Sequence, residues 1–319
     1  MILNNFSFSA LWRFVNKEVA HRLYQLIGMI IIEIKGGLGN QMFQYALGKH
    51  LSLKRGVELK FDLRYLQEKQ RETEHVKRDF ELNKFNIKTG IATEVDLKIV
   101  EGRKNEFDFL LPYYKRTIVK EKTKKFDKKI FLTSDNSLLK GYWQSEKYFQ
   151  DIESILRKDF IFCKEYDEDY FLQMKKKIET TNSVSLHFRR GDYINDPIAN
   201  KYHGVCSLEY YLKSIQTIAS KIECPEFFVF SDEIQWVKNN LKTDLPIHFI
   251  ENSCEESHSD FRLMSICKHN IIANSSYSWW AAWLNANRKK IVIVPQKWFA
   301  TPRLQSKTND LIPNEWIKM

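Results

Sequence analysis

Residues 187–197 read HFRRGDYINDP. Two adjacent arginines follow a mostly apolar run, VSLHF at 184–188, and a glycine and an aspartate follow them. Side chains alternate along a strand, so Val184, Leu186 and Phe188 share one face and Ser185, His187 and Arg189 the other. A central parallel strand is ordinarily apolar on both faces. A polar face at its carboxyl end therefore points to a cleft, with Arg189 beside His187 and Arg190 turned away. A guanidinium at that place can grip a phosphate through two parallel N–H donors. The competing reading is an arginine paired with a surface acid. Asp192 and Asp196 are near in sequence and are the candidate proton acceptors.

Other polar clusters follow short apolar runs. In ANSSYSWW (273–280) a strand end passes through Asn274, Ser275 and Ser276 into a helix. The free N–H groups and the positive dipole of a helix start favour an anion, and two hydroxyls add donors. Plain N-capping is the alternative, and the two are compatible. Trp279, Trp280 and Trp283 stand at helical spacing and read as core in preference to a stacking platform. Asp260 in HSDFRLMS, and Ser231 with Asp232 in FSDEIQW, are either helix caps or ligand acceptors; Asp260 suits the N–H pair of a guanine. GGLGNQ (36–41) is no dinucleotide fingerprint, because Met42 replaces the third glycine. It still lets backbone approach a ligand closely at Gly37 and Gly39, with Asn40 and Gln41 opening a helix and able to bond a sugar or phosphate. DED (167–169) has the form some metal-dependent sugar transferases use, but it reads better as acids in a first helical turn.

These clusters need elements to hold them. MIIIEI (29–34) reads as a strand, QMFQYALGKHLSLKRG as a helix closed by Gly56, and VELKFDL as a second strand. Residues 64–140 are rich in lysine and glutamate and give no clear pattern; the charge run KEKTKKFDKK (120–129) is expected to be a solvated loop or helix face. From 183 short apolar runs alternate with amphipathic helices up to KIVIVP (290–295), expected to close a doubly wound parallel sheet. Such sheets bind ligands beyond the carboxyl ends of their strands.

The whole chain bounds the answer. It has 319 residues, 43% apolar and 28% charged, with net charge +10, which fits a soluble two-domain protein with an anionic partner. Five scattered cysteines suit a reducing compartment and neither zinc nor a disulfide framework. SALWRFVNKEVAHRLYQLIG places Trp12, Val15, Val19, Leu23 and Leu26 at helical spacing among basic residues. This is an amphipathic helix without a signal-peptide cleavage site. A membrane-surface contact through residues 8–28 is one reading. The other makes Met29 the natural start and residues 1–28 an extension.

At GGLGNQMFQYA, HFRRGDY, FSDEIQW and DFRLMSICKHNIIANSSYSWWAAWLN the chain resembles bacterial α-1,2-fucosyltransferases. The resemblance runs from Met29 to about Pro295, is weakest over 64–140, and is absent over 1–28. It implies a GT-B-type architecture, two Rossmann-like α/β domains facing a cleft. The expected boundaries are 29–180 for the acceptor-side domain and 181–319 for the nucleotide-sugar domain. It implies inverting, metal-independent transfer of L-fucose from GDP-fucose to the 2-hydroxyl of a galactose on a glycan, without a further cofactor. By resemblance His187 and Asp260 fit the guanine, Arg189 the diphosphate, Ser275 and Ser276 the phosphate cradle, and Asn40 the fucose. The expected setting is cytoplasmic, or peripheral at the inner face of the membrane.

Other readings remain open at this point. A transferase for another nucleotide sugar would share the fold but prefer a different base. A glycan-binding module would bind sugar without transfer. A nucleic-acid-binding protein would carry its lysines in one stripe among exposed aromatics; here they are scattered among glutamates, so no nucleic-acid partner is expected.

Overall fold

The computed structural model describes residues 28–69, 78–103, 106–163, 169–251 and 258–319. The helix expected over 8–28 and the Asp167–Glu168 pair therefore fall outside the described residues, Gly28 excepted; Asp169 is the first residue of a helix.

In the first unit, β1 (Met29–Glu33) is wholly buried and enters a glycine turn before α1 (Leu38–Arg55). Gly56 ends α1 in the left-handed region, φ 66°, which a glycine adopts without steric cost. Then come β2 (Glu58–Asp62), β3 (Gly90–Ile91), α2 (Glu94–Gly102), β4 (Ile118–Lys120), β5 (Ser137–Lys140) and α3 (Glu153–Asp159). The strands form one parallel sheet in the order β3-β2-β1-β5-β4. The stretch 64–140, unreadable in sequence, thus supplies three strands, one of them beside β1. They have two to four residues each, too short for periodicity to register.

The second unit holds α4 (Asp169–Thr180), β6 (Asn182–Phe188), α5 (Gly191–Asn195), α6 (Pro197–His203), α7 (Leu208–Ala219), β7 (Pro225–Ser231), α8 (Ile234–Asn240) and β8 (Ile247–Phe249). It continues through α9 (His258–Ile266), β9 (His269–Ile271), α10 (Ser276–Leu284), β10 (Val292–Val294), α11 (Pro302–Gln305) and β11 (Ile317–Lys318). Its parallel sheet runs β11-β10-β9-β6-β7-β8. Two details differ from expectation. β10 does not close the series, because the chain's last residues add β11 at the edge. And α4, which precedes the expected boundary at 181, packs against α9 and β6 of the second unit.

Two parallel α/β units across a cleft are the architecture the resemblance implied. In both sheets the first strand is central, and its successors lie to either side. The switch points at β1 and β6 put a crevice beyond the carboxyl ends of those two strands. The units share one continuous core. Phe43 of α1 lies 4.6 Å from Trp279 and 5.0 Å from Trp280, and Phe149 stacks on Trp280 at 5.1 Å, ring centre to ring centre. Trp279 and Trp280 are fully buried and Trp283 nearly so, so these tryptophans form core between the units. α1 and α10 also touch at Gly39, where an added Cβ would lie 2.4 Å from the Ser276 carbonyl carbon. Gly39 thus serves the contact between units as well as the cleft.

Candidate active site

β6 delivers the central side chains. Val184, Leu186 and Phe188 enter the core on one side, as alternation requires. The opposite face is polar but largely internal. Ser185 Oγ accepts from Asn270 Nδ2 at 2.7 Å, and Ser183 Oγ accepts from the Lys268 N–H at 3.1 Å. Of that strand face, His187 reaches the cleft, and Arg189 follows it there. The polar face therefore had two causes, buried hydrogen bonding and a cleft, which alternation alone does not separate.

Beyond β6 the two arginines part. Arg189 Nη2 lies 2.7 Å from Asp192 Oδ1, and Nη1 lies 3.0 Å from Asp232 Oδ2. Arg78 Nη2, from the other unit, donates to Asp192 Oδ2 at 2.6 Å. The row Arg78–Asp192–Arg189–Asp232 alternates in sign and crosses the cleft. Burial by itself would lower the Arg189 pKa, but Asp232 and Asp192 outweigh it and raise it, so the guanidinium stays charged. Arg190 turns away. Its Nε donates to Glu233 Oε2 at 3.0 Å, and its guanidinium lies 3.3 Å from the Trp236 ring centre. Asp232 also accepts from the Arg190 N–H at 2.9 Å, and Gly191 leaves room for it, since a Cβ there would meet Asp232 Oδ2 at 2.9 Å.

The cleft encloses about 690 Å³. His187, Arg189, Asp192, Ser231, Asp232, Asp260, Ser275, Ser276, Gly37, Gly39 and Asn40 all line it. Gln41 does not. It is fully buried, donates to the Gly36 and Asp79 carbonyls at 2.8 and 2.7 Å, and accepts from the Glu81 N–H at 2.9 Å. Its amide ties the glycine turn to the 78–81 segment in place of touching a ligand. Asn40 Oδ1 accepts from Gln144 Nε2 at 2.8 Å. Gly36 has φ 71°, and a Cβ there would lie 2.6 Å from Asn40 Nδ2, so the turn requires glycine. Ser231 Oγ caps the Glu233 N–H at 3.0 Å. Ser275 holds the N-cap position of α10, yet its hydroxyl makes no capping bond. The starts of α1 and α10 meet at one side of the cleft, which concentrates two positive helix ends there.

Two neutral imidazoles complete the lining. Burial first, and Arg189 second, push the His187 pKa down to about 3. Burial first, then Lys124, push that of His203 down to about 4. In each, Nδ1 is buried with no hydrogen-bond partner among the described residues. His203 stacks on Tyr193, ring centres 4.7 Å apart, and beside Phe299 at 5.2 Å. Asp196 lines the cleft too; its Oδ1 caps Ile198 and Ala199, and it has no ion-pair partner among the described residues. No three His, Cys, Asp or Glu side chains converge as a metal site among the described residues.

The model of the family described as "Glycosyl transferase family 11" matches residues 3–319. The chain belongs to glycosyl transferase family 11. The match reaches into the N-terminal stretch where the quoted motifs gave no resemblance. Among relatives, an α-1,2-colitosyltransferase of Escherichia coli is 36% identical over 92% of this chain and 99% of its own. The Escherichia coli O-antigen biosynthesis glycosyltransferase WbnK is 37% identical over 90% and 99%. A galactoside 2-α-L-fucosyltransferase of Caenorhabditis elegans is 24% identical over 96% and 83%. Among solved structures, a point mutant of Arabidopsis thaliana FUT1 in complex with GDP aligns at TM-score 0.49 and 10% identity, over 88% of this chain and 74% of that one.

Several cleft residues of this family 11 glycosyltransferase were missed in sequence: Arg78, Glu81, Lys124, Tyr142, Gln144, Tyr193, His203 and Phe299. Lys124 belongs to the charge run read as solvated. Its neighbours Lys122, Lys125, Lys128 and Lys129 are exposed, but Lys124 lies 5.1 Å from the Tyr142 ring centre and 4.9 Å from that of Phe299. Burial lowers its pKa. Nothing in the local sequence separates it from the lysines beside it. Glu81, whose pKa burial raises, sits in a segment without a pattern.

Proposed function

We propose that the protein transfers L-fucose from GDP-fucose to the 2-hydroxyl of a terminal galactose on a glycan, with inversion at the anomeric carbon. The observation that carries this reading is Arg189, held between Asp192 and Asp232 at the β6 switch point, facing the starts of α1 and α10. Breaking the sugar–phosphate bond leaves negative charge on the β-phosphate. A fixed guanidinium and unspent helix N–H groups stabilise that charge most as it develops, because they need no reorganisation. His187 and Asp260 take the guanine, Ser275 and Ser276 the phosphates, and Asn40 the fucose. The acceptor oxygen attacks the face opposite the departing phosphate.

Asp192 is not the proton acceptor in this scheme, since Arg78 donates to its Oδ2 and Arg189 is ion-paired with its Oδ1, an oxygen that accepts no hydrogen bond among the described residues. It positions Arg189. The acceptor's proton goes to Asp196, which faces the cleft without an ion-pair partner among the described residues. Charge neutralisation through Arg189 supports a reaction without metal, so transfer is expected to persist in excess EDTA. Residues 8–28 are proposed as a peripheral membrane contact of a cytoplasmic protein. No described helix is long and apolar enough to cross a membrane.

A second donor has support in the 36% identical colitosyltransferase. Colitose is fucose without the 3-hydroxyl. Incubation with GDP-fucose or nucleotide-linked colitose and a panel of galactosides, with the product linkage read by NMR, decides between them. An α-1,2-fucosyl product is expected. Product from colitose alone moves the assignment to that sugar, and glycan binding with no transfer from either donor overturns the catalytic reading. Asp196→Asn is expected to lower kcat and leave KM for the donor in place.

A further inference from the structure

The end of the first sheet remote from the cleft carries exposed apolar side chains. Phe107, Phe109, Leu110 and Leu111 are 63%, 67%, 69% and 42% exposed. The segment that carries them is pinned. Arg116 donates to the Phe109 carbonyl at 2.7 Å and to the Leu111 carbonyl at 2.9 Å, which fixes the backbone behind the projecting side chains. It leads through Tyr113, whose hydroxyl donates to Asp127 Oδ2 at 2.7 Å, into the amino end of β4. Leu132, 56% exposed, lies at this same end, since Phe131 beside it meets Lys54 and Arg55 at the close of α1. Lone exposed apolar residues need no explanation, but several on one face mark a contact surface.

The rim of that face is more basic than acidic, with Glu58 and Asp135 as exposed acids at the same end. Lys54, Arg55, Arg103, Lys115, Lys128 and Lys129 are all exposed. Half-buried Asp108 stands between the two phenylalanines. The described chain also enters here, because Gly28 lies against Asp135 and Val57, below the first residue of β1. The preceding residues include the basic amphipathic stretch with Arg13, Lys17 and Arg22. Face and stretch share the same sign of charge, so neither electrostatics nor a self-complementary pairing of two copies favours covering one with the other. An anionic sheet of phosphates with an apolar layer beneath satisfies both at once.

We propose that this end of the folded first unit, with Phe107, Phe109, Leu110 and Leu111 at its tip, docks on an anionic lipid surface. The aromatic and leucine side chains enter the boundary between headgroups and acyl chains, and the lysines and arginines sit at phosphate level. The cleft lies beyond the opposite ends of the same strands and so opens away from the lipid. This adds a contact within the folded unit to the one proposed for residues 8–28, and it depends on neither the donor nor the acceptor assignment.

The test is co-sedimentation of the full chain with vesicles of phosphatidylcholine alone or with about a third phosphatidylglycerol, at low and high salt. The wild-type protein is expected to bind the anionic vesicles, and salt to weaken that binding. Phe107→Ser/Phe109→Ser/Leu110→Ser is expected to reduce binding by about tenfold or more. Its thermal midpoint and its transfer to a soluble acceptor should stay at wild-type values, which separates this failure from failure of the enzymatic reading. Lys128→Glu/Lys129→Glu should reduce binding through charge alone. Unchanged binding by the serine variant overturns the proposal and assigns attachment to residues 8–28. No binding by the wild type overturns it, as does equal binding to neutral vesicles. A wild-type dimer that the serine variant converts to monomer assigns the face to a second copy and overturns it too.

Discussion

The two units meet the cleft with the same construction, a central parallel strand, a glycine-bearing turn and a following helix, but they load it differently. The β6 end carries fixed charge in Arg189, Asp192 and, from the neighbouring strand end, Asp232. The β1 end offers backbone, Asn40 and a helix start, while the cations of that unit come from irregular segments as Arg78 and Lys124. The second unit thus fixes a guanidinium between two carboxylates at a set place. The first closes over it, with Arg78 reaching across to Asp192. Charge that must be placed sharply sits on a rigid strand tip; groups that shape the rest of the cleft sit on loops.

The contrast is broken most severely at the core the units share. Trp280→Ala removes the ring that stacks on Phe149 and abuts Phe43, and should cost about 3–5 kcal/mol by denaturant titration. If the units are independent, the loss will be small and confined to one of two transitions. Arg189→Lys keeps the charge but loses the planar fork that two carboxylates now hold. Turnover should fall at least about a hundredfold, roughly 3 kcal/mol, with a thermal midpoint close to wild type. Arg190→Lys loses the Glu233 bond and the Trp236 contact, so it should lower the midpoint and cost less in rate. A larger rate loss at Arg190 would reverse the assignment of the clamp.

Gly39→Ala acts on the contact from the first unit's side. Its Cβ would press on the Ser276 backbone of the opposite unit, so about 1–3 kcal/mol of stability should go, and activity with it. Gly37 has open space, its nearest neighbour being Arg78 Cδ at 4.0 Å, so Gly37→Ala should be milder. Equal effects would show that the units do not meet at Gly39.

The last effect is graded with pH. His187 and His203 have pKa values of about 3 and about 4 in the folded protein, below the ordinary value near 6.5. The unfolded chain therefore binds protons on both first as pH falls. Their contribution is complete above about pH 6.5 and is lost toward pH 4, by about 1.4 kcal/mol per pH unit for each imidazole at most. Thermal midpoints measured from pH 7 to 4 should show that decline, and His187→Gln should flatten it. An equal slope in the variant would mean that His187 is not held neutral by burial.

The alternation in VSLHFRR sufficed to separate Arg189 from Arg190, because a strand's two-residue period is local and survives any tertiary arrangement. The doubly wound second sheet was legible for a similar reason, since its strands and helices are long enough to show their periods. Short apolar runs before RRGD, SDE and NSS marked strand ends, and parallel topology brings such ends to one side. What remained hidden was of another kind. β3, β4 and β5 are too short to show a period, and β11 depends on the edge of β10 being there to pair with. Lys124 differs from Lys122 and Lys125 in being half-buried between Tyr142 and Phe299 at the cleft, and Gln41 faces inward where Asn40 faces the cleft. Local residue order determined which polar groups stand at strand ends and helix starts. Only the packing of α1 against α10 decided which of them share a cleft, because burial and pairing across a hundred or more residues have no local signature.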